Sequence, residues 1–190
     1  MTTRIGLLSD THGALDPQIL EVFADCDQIW HAGDIGSIEV AQQIAAHKTL
    51  RAVYGNIDGL AIRQQYPKDL FFDCDGVSVW ITHIGGHPQR YAPNIRQKLQ
   101  THQPALFVCG HSHILRVVRD PTLPSTLQIN PGAAGYDGHH VVRTALRFSL
   151  TQGKIHEMQA LEFNPRFPQR HTLPHTNPSP SEDSEKKEMP

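Results

Sequence analysis

The chain has 190 residues, the length of one globular domain, and can bury a substantial core without a disulfide or structural metal merely to fold. A net charge of −2 gives no reason to expect a nucleic acid or an anionic membrane as partner, and three scattered cysteines, Cys26, Cys74 and Cys109, make neither a disulfide framework nor a zinc ribbon. No apolar run nears the roughly 18 residues of a spanning helix, and the amino terminus meets charge and turn residues too soon for a secretory signal, so a cytoplasmic address is expected.

In chain order, the apolar run from Ile5 to Leu8 ends in Ser9-Asp10, the pattern of a buried strand feeding a loop. Asp16 followed by Pro17 predicts a capped helix whose apolar face is Ile19, Leu20, Val22 and Phe23. Gln28 to Ala32 reads as a second strand closed by Gly33-Asp34. Ser37 then caps a helix with Glu39 in its first turn, where the helix dipole favours a carboxylate. Thr49 to Tyr54 is a third strand closing on Gly55-Asn56.

Beyond this point helices thin out. Strands are predicted at Leu70–Cys74, Val77–Thr82, Ala105–Val108, Ile114–Val118, Thr126–Ile129 and Val142–Leu150, with one helix around Asn94–Gln100. The last strand alternates with period two, which predicts one buried and one wet face. Strand–helix–strand units followed by hairpins point to mixed sheets with helices packed outside. The domain is expected to span 1–163. Residues 164–190 are rich in proline and charge with few apolar side chains, the composition of a disordered tail.

The chemistry sits at strand ends. Asp10 and His12 follow the first strand, Asp34 the second, Asn56 and Asp58 the third, His83 the strand at Val77–Thr82, and His111 and His113 the strand at Ala105–Val108, mostly beside glycine. Ligands of open α/β sheets bind outside the carboxyl ends of strands, so these residues can converge. Imidazoles and carboxylates without thiolates suit Zn, Fe, Mn or Ni rather than a nucleophile triad. Asp10 with His12, and His111 with His113, are spaced so that on an extended strand end both side chains point the same way. Flanking glycines are expected to let the backbone turn out of the sheet. Asp10, His12, Asp34, Asn56, His83, His111 and His113 exceed what one ion needs, so two ions sharing Asp34 fit better.

These blocks, Asp-x-His, Gly-Asp, Gly-Asn-x-Asp, Thr-His and Gly-His-x-His in this order between residues 5 and about 135, resemble the calcineurin-like metallophosphoesterase superfamily. The segments Ser9–Gly13, Gly55–Asp58 and Asn130–Gly132 are similar to its small bacterial and archaeal phosphodiesterases. The resemblance implies an α/β fold: a two-sheet β sandwich flanked by α helices on its outer faces, with a dinuclear metal site at strand C-terminal ends. It implies that Asp10, His12, Asp34 and His113 hold one ion, and Asp34, Asn56, His83 and His111 the other. Manganese is the first expectation, with nickel, iron and zinc as alternatives. The implied reaction is hydrolysis of a small phosphoester by a metal-bridging hydroxide, with Asp34, Asn56 and His83 at the reacting centre.

The chain departs from larger family members at one place. Their Gly-Asn-His motif supplies a histidine that assists the leaving group, paired with an Asp three residues after the bridging Asp. Ile57 and Ser37 stand at those positions here. General-acid help is worth roughly 10²–10⁴-fold, so activity on activated diesters and poor activity on alkyl monoesters is expected. His87, on the loop after His83, is the substitute proton donor that the sequence offers.

Other polar residues have plainer readings. His31 reads as a core residue or as a hydrogen-bonding orienter of a ligand, and His139-His140 as a solvated turn. Asp58 is either an orienter of Asn56 or a turn residue. Arg116, Arg119, Arg143 and Arg147 read as the wet face of strands, with a phosphate-binding patch as the alternative. Arg90 and Tyr91 either line the mouth of the site or cap the sheet. The fold also supports a non-catalytic scaffold or protein-binding module, as in the small phosphoesterase-like subunit of the retromer coat. Sheet edges would offer surfaces for a homo-oligomer.

Overall fold

A computed structural model describes residues 1–139 and 141–163. The expected tail and His140 lie outside the described residues. Among the described residues, four layers are built from two five-stranded sheets and four helices. The strands of the first sheet are β1 (Thr2–Leu8), β2 (Gln28–His31), β3 (Thr49–Ala52), β11 (Arg143–Thr151) and β12 (Lys154–Phe163), in the order β12-β11-β1-β2-β3. The second holds β4 (Asp69–Cys74), β5 (Val77–Thr82), β8 (Leu106–Val108), β9 (Leu115–Arg119) and β10 (Leu127–Pro131), in the order β4-β5-β8-β10-β9. A small hairpin, β6 (Gly86–His87) with β7 (Arg90–Tyr91), follows β5.

Alternation along the strands divides the core. Ile5, Leu7, Trp30, Val79, Ile81, Leu106 and Val108 meet between the sheets. Leu8 and Ile29 face outward beneath α1 (Pro17–Val22), α2 (Ile38–His47) and α3 (Leu60–Gln65), which add Ile19, Ile44 and Ile62. On the far side, Trp80 and Phe107 pack under Ile95 and Leu99 of α4 (Ile95–His102). The expected caps form: Asp16 accepts from the Gln18 amide at 3.0 Å, and Ser37 from that of Val40 at 3.4 Å.

The half-wet strand at 142–150 is corrected. Nearly all of β11 is buried, because its second face lies against the ends of α1. There Arg143, 3% exposed, pairs with Asp16 at 2.8 Å, and Arg147 pairs with Asp25 at 3.1 Å. Arg116 and Arg119 lie on β9, at the edge of the other sheet, so the four arginines form no common phosphate patch. Both sheets contribute parallel neighbours, β1-β2-β3 in one and β5-β8 in the other. Their carboxyl ends open on the same edge of the sandwich, and that arrangement positions the site.

Candidate metal centre

The loops beyond the strands continue to pair. Asp10 donates its amide to the Gly33 carbonyl at 3.0 Å, His12 to Asp34 at 3.1 Å and Gly13 to Ile35 at 2.8 Å, so the first two loops run side by side past the end of the sheet. From the other sheet, Gly110 donates to the His83 carbonyl at 2.9 Å. The His111 amide bridges the two halves by donating to Asp10 Oδ2 at 3.1 Å.

These loops bring all seven expected residues together. Asp10, His12 and His113 form one group, and Asp34, His83 and His111 another; within each, the ligating atoms lie within 4.8 Å of one another. Asn56 joins the second group, its Oδ1 lying 3.1 Å from His83 Nε2. His12 Nε2 is 4.0 Å from both Asp10 Oδ1 and Asp34 Oδ2, and His83 Nε2 is 3.2 Å from Asp34 Oδ2. Asp34 thus lies between the two groups.

The expected strand geometry is replaced by a tighter one. Asp10, His12, Asp34, His111 and His113 all have positive φ, between 49° and 66°. The paired ligands therefore do not converge by strand alternation. Left-handed backbone at the ligands themselves aims them, at a cost of order 1–3 kcal/mol each that the surrounding loops must hold. Glycine's part at Gly55 and Gly110 is clearance rather than turning. A Cβ on Gly55 would run into Asp34 Oδ1, and one on Gly110 into Ser9 Oγ.

Two features fit the cluster to cations. Asp10 is fully buried, and its Oδ1 accepts no hydrogen bond although His113 Nε2 is only 3.3 Å away. A buried carboxylate oxygen aimed into a ring of acceptors is costly unless a cation meets it. His83 supplies the second: its Nδ1–H donates to the Ala32 carbonyl at 2.8 Å, which turns Nε2 toward Asp34 and Asn56. Burial opposes charge on His83, but the Asp34 hydrogen bond and the Asp10 carboxylate hold its pKa above the ordinary value. Reciprocally, against the effect of burial, His83 lowers the pKa of Asp34. Burial and neighbouring His83 lower that of His111. The donor set, imidazole with carboxylate and one carboxamide, suits borderline divalent ions.

Sequence reasoning left Asp58 and His31 open, and the structure places both. Asp58, 3% exposed, accepts from the amides of Ile35 (3.2 Å), Gly36 (2.7 Å) and Gly55 (2.7 Å), so it ties the Asp34 loop to the Asn56 loop. His31 Nδ1 accepts from the Gly33 amide at 3.2 Å, which leaves the proton on Nε2 to donate to Thr11 Oγ1 at 2.9 Å. It is a buried brace rather than a ligand. His87 Nδ1 hydrogen-bonds the Pro88 carbonyl at 2.8 Å, and among the described residues no hydrogen bond joins it to the cluster. Tyr91 donates to Asp120 at 2.9 Å and packs with Trp80 and Ile95, so it caps the second sheet. Asn130 was noted only as part of a motif. Its Nδ2 donates to the Gly110 carbonyl at 2.8 Å and to Ser112 Oγ at 3.1 Å, which holds the loop carrying both His111 and His113.

Fold and site together are those of a phosphoesterase-like domain with a candidate metal centre. The family model of the calcineurin-like phosphoesterase superfamily domain matches residues 3–153, and the chain belongs to that superfamily. A curated protein of Methanothermobacter thermautotrophicus, described as a probable metallophosphoesterase, is 24% identical over 139 residues, covering 68% of this chain and 76% of its own. Among solved structures, a novel archaeal phosphodiesterase superposes with a TM-score of 0.68 at 22% identity, over 84% of this chain and 99% of that one. Wild-type Vps29 of Entamoeba histolytica, solved with zinc, gives 0.60 at 14% identity, over 85% of this chain and 99% of that one. Membership implies divalent metal ions, and the two groups are candidates to hold them. No helix among the described residues is long and apolar enough to cross a membrane.

Proposed function

We propose that this chain is a dinuclear metal-dependent phosphodiesterase, with manganese as the ion of first choice and diesters preferred over monoesters. The observation that carries the reading is the pair of adjoining ligand groups, with Asp34 between them and the orphaned Asp10 oxygen inside one. Asp10, His12, Asp34 and His113 would hold one ion, and Asp34, Asn56, His83 and His111 the other. Bound there, two divalent ions supply Lewis-acid polarisation of a phosphoryl oxygen and lower the pKa of water.

The chain's own residues fix the geometry of that chemistry. Asp34 is held by the Ile57 amide at 3.0 Å. Asn56 is held through its carbonyl by Arg63 Nη2 at 3.1 Å. Hydrolysis replaces one ester oxygen on phosphorus with that of water, and the departing oxygen takes the bonding pair. Positions 37 and 57 supply no general acid: the Ile57 side chain has no acidic proton, and the Ser37 hydroxyl, which accepts from the Val40 amide as the cap of α2, is too weak an acid to serve. An aryl or otherwise stable leaving oxygen is therefore favoured over an alkyl one.

The test is hydrolysis of bis(p-nitrophenyl) phosphate beside p-nitrophenyl phosphate by chelator-stripped protein given one metal at a time. Diesterase activity returning with Mn, exceeding the monoesterase rate and vanishing in Asp34→Asn, supports the reading. Metal binding alone would not, because a zinc complex is also recorded for the Vps29 neighbour. Two ions bound per chain with no turnover would favour the scaffold.

A further inference from the structure

Next to the second ligand group a cavity of about 500 Å³ opens, with Asn56 and His83 in its wall. That volume suits a small organic ligand. Tyr54, Ile84, Pro93 and Ile95 give it largely apolar sides, and three cations, Arg63, Lys68 and Lys98, line it as well. One carboxylate, Asp69, shares the lining, and Lys98 Nζ meets it at 2.8 Å. Trp80 Nε1 adds a hydrogen bond to Asp69 at 3.0 Å, so this pair is electrically spent.

The other two cations are not cancelled. Among the described residues, Lys68 makes no ion pair or side-chain hydrogen bond. Arg63 donates Nε to the Asp58 carbonyl at 2.6 Å and Nη2 to the Asn56 carbonyl at 3.1 Å, and lies 4.9 Å from the Tyr54 ring centre. Those bonds fix its position without neutralising it, and its fork keeps further N–H donors. An apolar-walled cavity with two uncompensated cations, continuous with the candidate metal centre through Asn56 and His83, fits an arm with an organic body and its own anion.

We propose that this cavity takes one ester arm of the substrate, and that Lys68 with Arg63 binds a second phosphate carried on that arm, so that the substrate class is a nucleotide-like diester with a further phosphate. This rests on the phosphodiesterase reading for its reaction, but not for its binding. Two probes differing only in the added group are thymidine 5′-(p-nitrophenyl phosphate) and the same compound with a 3′-phosphate. The expected result is a kcat/KM about tenfold higher for the phosphorylated probe, a preference that Lys68→Ala largely removes and Lys68→Glu inverts. Lys68 is exposed, so neither variant threatens folding.

Calorimetry of the manganese-treated protein with thymidine 3′,5′-bisphosphate and thymidine 5′-phosphate reads the same preference without turnover. Tighter binding of the bisphosphate that depends on Lys68, with no hydrolysis of either probe, would sink the phosphodiesterase reading and keep the subsite. Equal kcat/KM and equal affinity for the two members of each pair, or a preference unchanged in both Lys68 variants, would overturn the subsite and leave the hydrolase standing.

Discussion

Asp34 and Asp58 hold each other's loops. The carboxylate of Asp34 accepts from the Ile57 amide at 3.0 Å, while that of Asp58 accepts from Ile35 and Gly36, the two residues after Asp34. The exchange locks the loop after β2 to the loop after β3, and Asp58 reaches further to the Gly55 amide. The aim of Asp34, the proposed shared ligand, is therefore set by a residue outside the proposed ligand set.

Asp58→Ala strands three main-chain amides that Asp58 now accepts from. A buried donor left unpaired costs roughly 1–3 kcal/mol, so the variant should lose about 3 kcal/mol or more of stability in urea unfolding. Manganese affinity should fall by roughly 10–100-fold, as it does when partners behind metal ligands are removed. Asp58→Asn, which keeps one acceptor oxygen, should fall between. A loss below about 1 kcal/mol with unchanged metal affinity would make the exchange incidental.

His31 sets a second expectation, in acid. Burial lowers its pKa to about 4 from an ordinary 6.5, and the Gly33 amide pointing at Nδ1 enforces the neutral ring. The unfolded chain takes up the proton first. The stability from keeping His31 neutral is thus complete above pH 6.5 and is lost as pH falls toward 4. The shift corresponds to about 3 kcal/mol. The stability difference between wild type and His31→Gln, followed in chelator-treated protein to keep metal loading out, should shrink or invert across that window. A difference independent of pH from 7 to 4 would show that the folded protein accommodates the charged ring.

Much of this was legible because it is local. Asp16-Pro17 and Ser37 announce their helices through the chemistry of a single turn, and the seven candidate ligands stand at strand ends whatever the sheets do. What the sequence hid was set by tertiary structure. β12 escaped notice because its partly buried residues, Ile155, Met158 and Leu161, are spaced by three rather than two. Its register against β11 shifts between Arg147 and Ser149, and Glu157 takes φ 53°. Such a bulge inserts a residue and breaks the alternation by which a strand is read. α3 buries only Ile62, too little for a periodic signal. The wet face expected for β11 needed α1 in place before it could be seen as covered. Left-handed ligands were equally invisible, because Asp and His at φ near 50° look no different in sequence from Asp and His on a strand.

The two glycines around Asn56 separate clearance from flexibility. A Cβ on Gly55 would enter the space of Asp34 Oδ1 and its amide, whereas one on Gly59 meets nothing within 4 Å. Gly55→Ala should therefore displace the Asp34 carboxylate and weaken manganese binding by roughly tenfold or more. Gly59→Ala, at the cap of α3, should cost only a few tenths of a kcal/mol to about 1 kcal/mol and leave metal binding intact. Manganese titration by calorimetry on both variants checks the contrast. Equal losses would mean that the Asn56 loop needs flexibility, not room.

Asp10 gives the sharpest test of whether the cluster is built for cations. Its carboxylate is fully buried, with one oxygen on the His111 amide and the other accepting nothing. Asp34 brings a second buried carboxylate to the same cluster, with His12 Nε2 at 4.0 Å from an oxygen of each. Without metal this concentration of charge is a burden on the fold, since an unpaired buried charge costs more than a neutral group of the same shape. Asp10→Asn should therefore raise the melting temperature of chelator-treated protein, by the equivalent of about 1–2 kcal/mol, even though it removes a ligand. In the presence of manganese the order should reverse, because wild type gains stability by binding and the variant does not. Crossing of the two proteins' melting temperatures on metal addition is the expected signature. If Asp10→Asn instead melts lower than wild type with and without metal, Asp10 is a structural anchor for the His111 loop and the argument from its orphaned oxygen fails.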